Sequence, residues 1–178
     1  DAVLRVALAA PTGKAAARMQ EAIAGVLHNP EVAAHIPAEV AAQIAELQPT
    51  TIHRMLGSRG GSSQRFRHDE REQLPHEVVI IDEAAHIDNW DEFSNSVLPT
   101  ISSGQFTKLV QISTPYGLNH FYKMWVDATE GRSTYKPLEV HWSMVPGRDA
   151  AWKEETIRNT SEEQFRQEFE TEFIGSSA

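Results

Sequence analysis

Val78-Val79-Ile80-Ile81-Asp82-Glu83 is the stretch that decides the reading of this chain. Four β-branched residues in a row, bounded by polar residues on both sides, have the composition of a strand buried on both faces, as in a parallel sheet. Two adjacent carboxylates close it. Neighbouring side chains on a strand point to opposite faces, so Asp82 and Glu83 serve one site only where the strand ends and the backbone turns. Ala84-Ala85 follows at once and leaves room for that turn.

Upstream, the apolar run Leu4–Ala9 is closed by Pro11-Thr12-Gly13. Ala15, Met19, Ala22, Ile23, Val26 and Leu27 then recur at helical spacing. The chain therefore opens strand, turn, helix. A second helix holds Val40, Ile44 and Leu47 and ends at Pro49, and Thr50 or Thr51 caps a short helix running through Leu56 to the stop at Gly57. Gly57–Gln73 lacks periodicity and reads as an exposed loop. Downstream, Lys108–Ser113 repeats the strand pattern and ends in Thr114-Pro115-Tyr116-Gly117. A helix with Leu118, Phe121, Tyr122 and Trp125 follows, and Leu138–Trp142 is the next strand expected. Ser161 with Gln164 forms a capping-box pattern that opens a final helix carrying Phe165, Phe169 and Phe173. Strands alternating with helices predict an α/β domain with a mainly parallel sheet, in which Val78–Ile81 and Lys108–Ile112 are neighbours. No internal repeat or low-complexity tract interrupts it.

At 178 residues, 40% hydrophobic and 23% charged, the chain is long enough for one domain with a real core and has ordinary globular composition. The absence of cysteine excludes disulfides, thiolate metal sites and a cysteine nucleophile. No secretory apolar region stands at Asp1 and no apolar run is long enough to span a bilayer, so a soluble, cytoplasmic protein with no membrane partner is expected. The net charge of −9 is uneven. Residues 1–81 carry 8 Lys+Arg against 9 Asp+Glu, a net of −1, and residues 82–178 carry 8 against 16, a net of −8. Such acidity argues against a general coat for nucleic acid, which needs local positive charge. One basic strip exists, where Arg54, Arg59, Arg65, Arg67 and Arg71 outnumber Asp69 and Glu70; it suits a phosphate contact or a solvated loop.

In nucleotide hydrolases a buried strand delivers an acidic pair to its carboxyl edge, the first carboxylate holding Mg2+ and the second acting on the attacking water. Asp82 and Glu83 fit those roles, although a polar strand end without chemistry has the same residues. Pro11-Thr-Gly-Lys14-Ala15 imitates a phosphate loop, G-x-x-x-x-G-K-[S/T], but Leu8 stands where the first glycine belongs and Ala15 lacks the hydroxyl. A DNA backbone phosphate is the better ligand for Lys14 at a helix start. Eight histidines raise a metal site, yet Glu83-Ala-Ala-His86 occurs once and follows a strand, whereas di-iron bundles need two copies on four helices. No H-E-x-x-H and no G-x-S-x-G is present. Ser113 and Thr114, at the carboxyl end of the Lys108–Ser113 strand, offer hydroxyls to a γ-phosphate through water or Mg2+, or simply make a turn.

Two family resemblances bear on these alternatives, one on each half. Leu8-Ala-Ala-Pro-Thr-Gly-Lys-Ala-Ala-Ala-Arg-Met19 resembles motif Ia, which contacts single-stranded DNA, of the RecD-type superfamily 1 DNA helicases, the alpha subunit of exodeoxyribonuclease V. Thr51-Ile-His-Arg-Met-Leu-Gly57 resembles the segment before that family's motif II, and Val79-Ile-Ile-Asp-Glu-Ala84 resembles motif II itself. From about Ile80 onward, Leu98-Pro-Thr-Ile-Ser-Ser-Gly104, Ile112-Ser-Thr-Pro-Tyr-Gly-Leu-Asn-His-Phe-Tyr122 and Glu163-Gln-Phe-Arg-Gln-Glu-Phe169 resemble the ATPase domain of large terminase subunits of tailed phages. No G-D-x-D-Q-like motif III of the helicases stands there.

The resemblances imply a mosaic joined at the acidic motif both families share, helicase-like over 1–84 and terminase-like over 85–178. They imply one partial P-loop NTPase-like (RecA-like) domain, with a parallel sheet flanked by helices and the phosphate-loop strand lying before Asp1. By carry-over, Asp82 binds the Mg2+ of ATP, Glu83 acts on the water, and Ser113-Thr114 couples hydrolysis to DNA movement. Lys14, Arg18, Thr51, His53 and Arg54 face DNA. The implied partners beyond DNA are RecBC-like helicase–nuclease subunits, or the phage portal and small terminase. A non-catalytic DNA-binding or assembly module, and a join that is engineered or an assembly artefact with only a structural role, are compatible with the same residues.

Overall fold

Thr12 starts the architecture. Its backbone is extended, and its hydroxyl accepts the Ala15 N–H at 3.1 Å, so the chain leaves the strand β1 (Val6–Ala10) and enters the helix α1 (Gly13–His28) in two residues. The computed structural model describes residues 4–57, 68, 74–102 and 107–175. They fall in two compact units, Asp1–Ile112 and Ser113–Ala178.

In the first unit α1 is followed by α2 (Pro30–Ala33), α3 (Ala38–Ala45), the two-residue strand β2 (Thr50–Thr51) and α4 (Ile52–Met55). Then come β3 (Val78–Ile81), a 3-10 turn (Ala84–His86), α5 (Trp90–Ser102) and β4 (Lys108–Gln111). The four strands form one sheet in the order β2-β1-β3-β4, and every pair is parallel. The register sets Ala9 beside both Thr50 and Ile81, and Ile81 beside Gln111. β3 and β4 are thus the parallel neighbours that the sequence predicts.

β1 is buried from Ala7 to Ala10, and Val79 and Ile81 of β3 are wholly buried. An inner strand in a parallel sheet loses solvent on both faces, so it reads as a continuous apolar run rather than an alternation. The core around it is small-chained: Ala9, Ala10 and Ala84 have no exposure, and Ala15 and Ala16 bring α1 close to Ala10. Leu56, also fully buried, closes α4.

The second unit is helical among its described residues: α6 (His120–Thr129), a 3-10 turn (Trp142–Met144), α7 (Ala150–Asn159) and α8 (Glu162–Glu168). Trp142, Trp152, Phe165 and Phe169 form its core, with adjacent ring centroids 5.2–6.0 Å apart and Phe165 fully buried. The guanidinium of Arg148 lies 4.7 Å from the Trp152 ring centre and 5.5 Å from that of Phe169, a cation–π cover for the cluster.

Two expectations fail in this unit. Leu138–Trp142 is not a strand: no strand edge exists among the unit's described residues to pair with it, and Leu138 is left 83% exposed. Trp142 turns into the aromatic cluster instead, and its backbone N–H donates to Phe169 O at 3.0 Å. The last helix stops at Glu168, so Phe173 lies beyond it and packs on Phe121 and Tyr122 of α6. Its start is as predicted, with Ser161 Oγ accepting the Gln164 N–H at 3.1 Å. The periodic reading also does not supply α5, which carries Pro99 inside it, or the polar α7.

Candidate functional site

Parallel strands send their carboxyl ends to one edge, and ligands of open α/β sheets bind there. In the first unit that edge collects three segments: Pro11–Lys14 after β1, Ile52–Arg54 after β2, and Asp82–Glu83 after β3.

Asp82 and Glu83 are both half-buried. The Asp82 N–H donates to Ala9 O at 2.9 Å, extending the β1–β3 ladder by one residue. Asp82 Oδ1 accepts the Glu83 N–H at 2.9 Å, and no described residue donates to Oδ2. Glu83 is left-handed, at φ 53° and ψ 37°. The backbone turn that two adjacent carboxylates need is therefore present, and it falls on Glu83 itself. Ala84 and Ala85 are buried beneath it, and the Ala84 N–H donates to Ile112 O at 3.0 Å.

Among the described residues no group of three or more His, Asp or Glu side chains gathers as a metal centre. Asp82 supplies one hard oxygen at the sheet edge, which fits Mg2+: that ion takes one or two protein carboxylates and completes its octahedron with phosphate oxygens and water. The segment after β1 is less suited to a nucleotide. Thr12 caps α1 directly, and Gly13 and Lys14 are exposed in its first turn. Arg18, one turn further along, is exposed as well.

Thr51 is half-buried at the end of β2, and its hydroxyl accepts the Arg54 N–H at 3.3 Å as the cap of α4. His53 and Arg54 are exposed on that short helix. Of the basic strip only Arg54 is described; Arg59, Arg65, Arg67 and Arg71, with most of the expected loop, lie outside the described residues. Ser113 and Thr114 are half-buried and open the second unit.

The sequence does not single out the backbone of Ala84 and Ile112, which anchors the acidic turn. Nor does Glu83 advertise a left-handed residue, because that conformation is signalled by glycine or asparagine.

A parallel four-stranded sheet with an Asp-Glu pair at the carboxyl end of an inner strand places the chain in the P-loop ATPase-like α/β class. Residues 1–110 match the AAA domain family and residues 76–178 match the N-terminal family of T4likevirus-type terminase large subunits, and the chain belongs to both. The shared stretch 76–110 includes β3, the acidic pair and most of β4. Two curated relatives are the RecBCD enzyme subunits RecD of Mycolicibacterium smegmatis and Mycobacterium tuberculosis, each 42% identical over 83 residues, or 47% of this chain. The matched region spans only 14% and 13% of those relatives. Two solved structures of the Thermus phage P74-26 large terminase ATPase domain, one of them a mutant, share the fold at TM-score 0.52, with 23% and 22% identity. Each alignment covers 96% of this chain and 77% of the phage domain.

Proposed function

We propose that these residues belong to an ATP-driven DNA motor, with Asp82 as the Mg2+ ligand and Glu83 as the base that takes a proton from the attacking water. The observation that carries this reading is the acidic turn: a half-buried Asp-Glu pair at the carboxyl edge of a parallel sheet, with one Asp82 oxygen that accepts no hydrogen bond from the described residues. When bound, Mg2+–ATP supplies the phosphoryl group and the charge that neutralises it. The chain's own part is positional. Asp82 fixes the cation against the sheet, and Glu83 holds its carboxylate where a water proton is released. Ser113-Thr114, one residue beyond the end of β4, is proposed to couple hydrolysis to movement. Lys14 and Arg18 of α1, with Thr51, His53 and Arg54 around α4, are proposed to meet DNA phosphates.

The identity to RecD subunits supports a helicase-like role for the first half, and the terminase family supports a packaging-type ATPase for the second. RecBC-like subunits, or a phage portal and small terminase, are the corresponding proposed partners. Residues 1–178 contain no G-x-x-x-x-G-K-[S/T], so the phosphate loop of the proposed motor comes from other sequence. That feature equally favours a second reading, a DNA-binding or assembly module without catalysis. A titration with Mg2+–ATP of a motor carrying both these residues and a phosphate loop separates the two. Tight Mg2+-dependent binding, lost in Asp82→Asn, is expected; binding indifferent to Mg2+ and to that substitution would favour the module.

A further inference from the structure

Among the described residues, backbone bonds on both sides and one side-chain bond hold the chain around the acidic turn. Asp82 N–H donates to Ala9 O at 2.9 Å on one side, and Ile112 N–H donates to Ile81 O at 2.8 Å on the other. Ala84 N–H returns to Ile112 O at 3.0 Å, and His86 N–H closes on Glu83 O at 2.9 Å. Between these anchors the Glu83 N–H has one acceptor among the described residues, Asp82 Oδ1 at 2.9 Å. Glu83 itself sits at φ 53°, where a residue with a Cβ is held only if its surroundings over-determine it.

We infer that Asp82 is the positioning residue for Glu83: one oxygen of its carboxylate clamps the Glu83 N–H and holds the left-handed turn, while the other oxygen is kept for the cation. The clamp matters because a residue continuing β3 after Asp82 would point to the opposite face. The left-handed residue breaks that alternation, and without it two consecutive carboxylates do not share a site. The acceptor, not the charge, does this work, so asparagine substitutes for aspartate in the clamp and fails as a metal ligand. The cation half of this division rests on the function proposed above; the clamp does not.

The test is amide hydrogen exchange on residues 1–178 without nucleotide, comparing wild type, Asp82→Asn and Asp82→Ala, with the Val79 and Leu8 amides reporting that the sheet is intact. In Asp82→Ala the Glu83 amide is expected to exchange roughly five- to tenfold faster, the loss of one hydrogen bond read through local opening. Asp82→Asn is expected to retain wild-type protection. Equal exchange in Asp82→Ala and wild type overturns the inference, and so does an Asp82→Asn variant as unprotected as Asp82→Ala. Should Asp82→Ala lose the sheet, the thermal cost of Asp82→Val, which keeps strand propensity and lacks an acceptor, is compared in the wild-type and Glu83→Gly backgrounds. Glycine takes positive φ freely, so the cost is expected to fall by about half or more there; an equal cost in both backgrounds overturns the clamp. A clamp that passes alongside absent Mg2+–ATP binding would refute the proposed function alone.

Discussion

The Ala84 N–H donates to Ile112 O at 3.0 Å, which ties the turn after β3 to the end of β4. Ile112 also donates to Ile81 O at 2.8 Å, so a single residue holds the strand before the acidic pair and the turn after it. The residue that follows Ile112 is Ser113, the first of the proposed coupling pair.

Catalysis is expected to divide the acidic pair. In a motor that also carries a phosphate loop, Glu83→Gln keeps Mg2+–ATP binding and loses hydrolysis by about 10²–10⁴-fold, the scale for removing a positioned general base. Asp82→Asn weakens the Mg2+-dependent binding itself. Residues 1–178 alone are expected to hydrolyse ATP negligibly, because phosphoryl transfer depends on held phosphates. Steady-state ATPase rates with nucleotide titrations check both statements; robust turnover by 1–178, abolished by Glu83→Gln, would return Lys14 to the role of phosphate-loop lysine.

DNA binding is expected to weaken as salt rises. Lys14→Gln, Arg18→Gln and Arg54→Gln each flatten the plot of log affinity against log salt by about one unit if the replaced cation meets a phosphate. Fluorescence anisotropy with a short single-stranded oligonucleotide reads the slope, and an unchanged slope marks a solvated side chain.

Thr12→Ala removes the hydroxyl that accepts the Ala15 N–H at the start of the 16-residue α1. A loss of about 1 kcal/mol is expected, with Thr12→Ser recovering most of it. Chemical denaturation of the first unit measures it.

Phe165→Ala opens a cavity beneath Trp142, Trp152 and Phe169, from a ring with no exposure. The expected cost is about 3–5 kcal/mol, seen as an earlier loss of the tryptophan fluorescence signal in urea.

Acid is expected to loosen the two units in different windows. The Lys153 ammonium hydrogen-bonds Glu170 at 2.5 Å and holds its carboxyl below the ordinary value of 4.5. The unfolded chain therefore binds this proton first, so the pair's contribution is complete above that value and lost as pH falls through the depressed one. Burial, then the charges of Arg5 and His68, lowers His76 from 6.5. The folded first unit resists that proton, and its stability declines as pH drops below 6.5. Melting curves from about pH 7 to about pH 3 should show the upper limb vanish in His76→Gln and the lower one shrink in Glu170→Gln.

Legible in the sequence by itself are the sheet's inner strand, the acidic pair that closes it, the parallel pairing of Val78–Ile81 with the strand that opens at Lys108, and the cap at Ser161; the sequence narrows the cap of α4 to Thr50 or Thr51, and the structure places it at Thr51. The strand and the caps are local, since a buried parallel strand is continuously apolar and a cap needs one hydroxyl at one position; the pairing follows from strands that alternate with helices. Only the tertiary structure decided the fate of Leu138–Trp142 and Phe173. Strand propensity needs a neighbouring edge, and helical spacing needs a face to bury; the second unit instead offers Trp142 a cluster of aromatic rings and Phe173 the rings of Phe121 and Tyr122. It also decided that the turn between the two carboxylates falls on Glu83. No glycine announces that turn, because the backbone bonds that frame it reach Ala9 on one neighbouring strand and Ile112 beyond the other, and contacts between residues so distant in sequence leave no mark on local sequence.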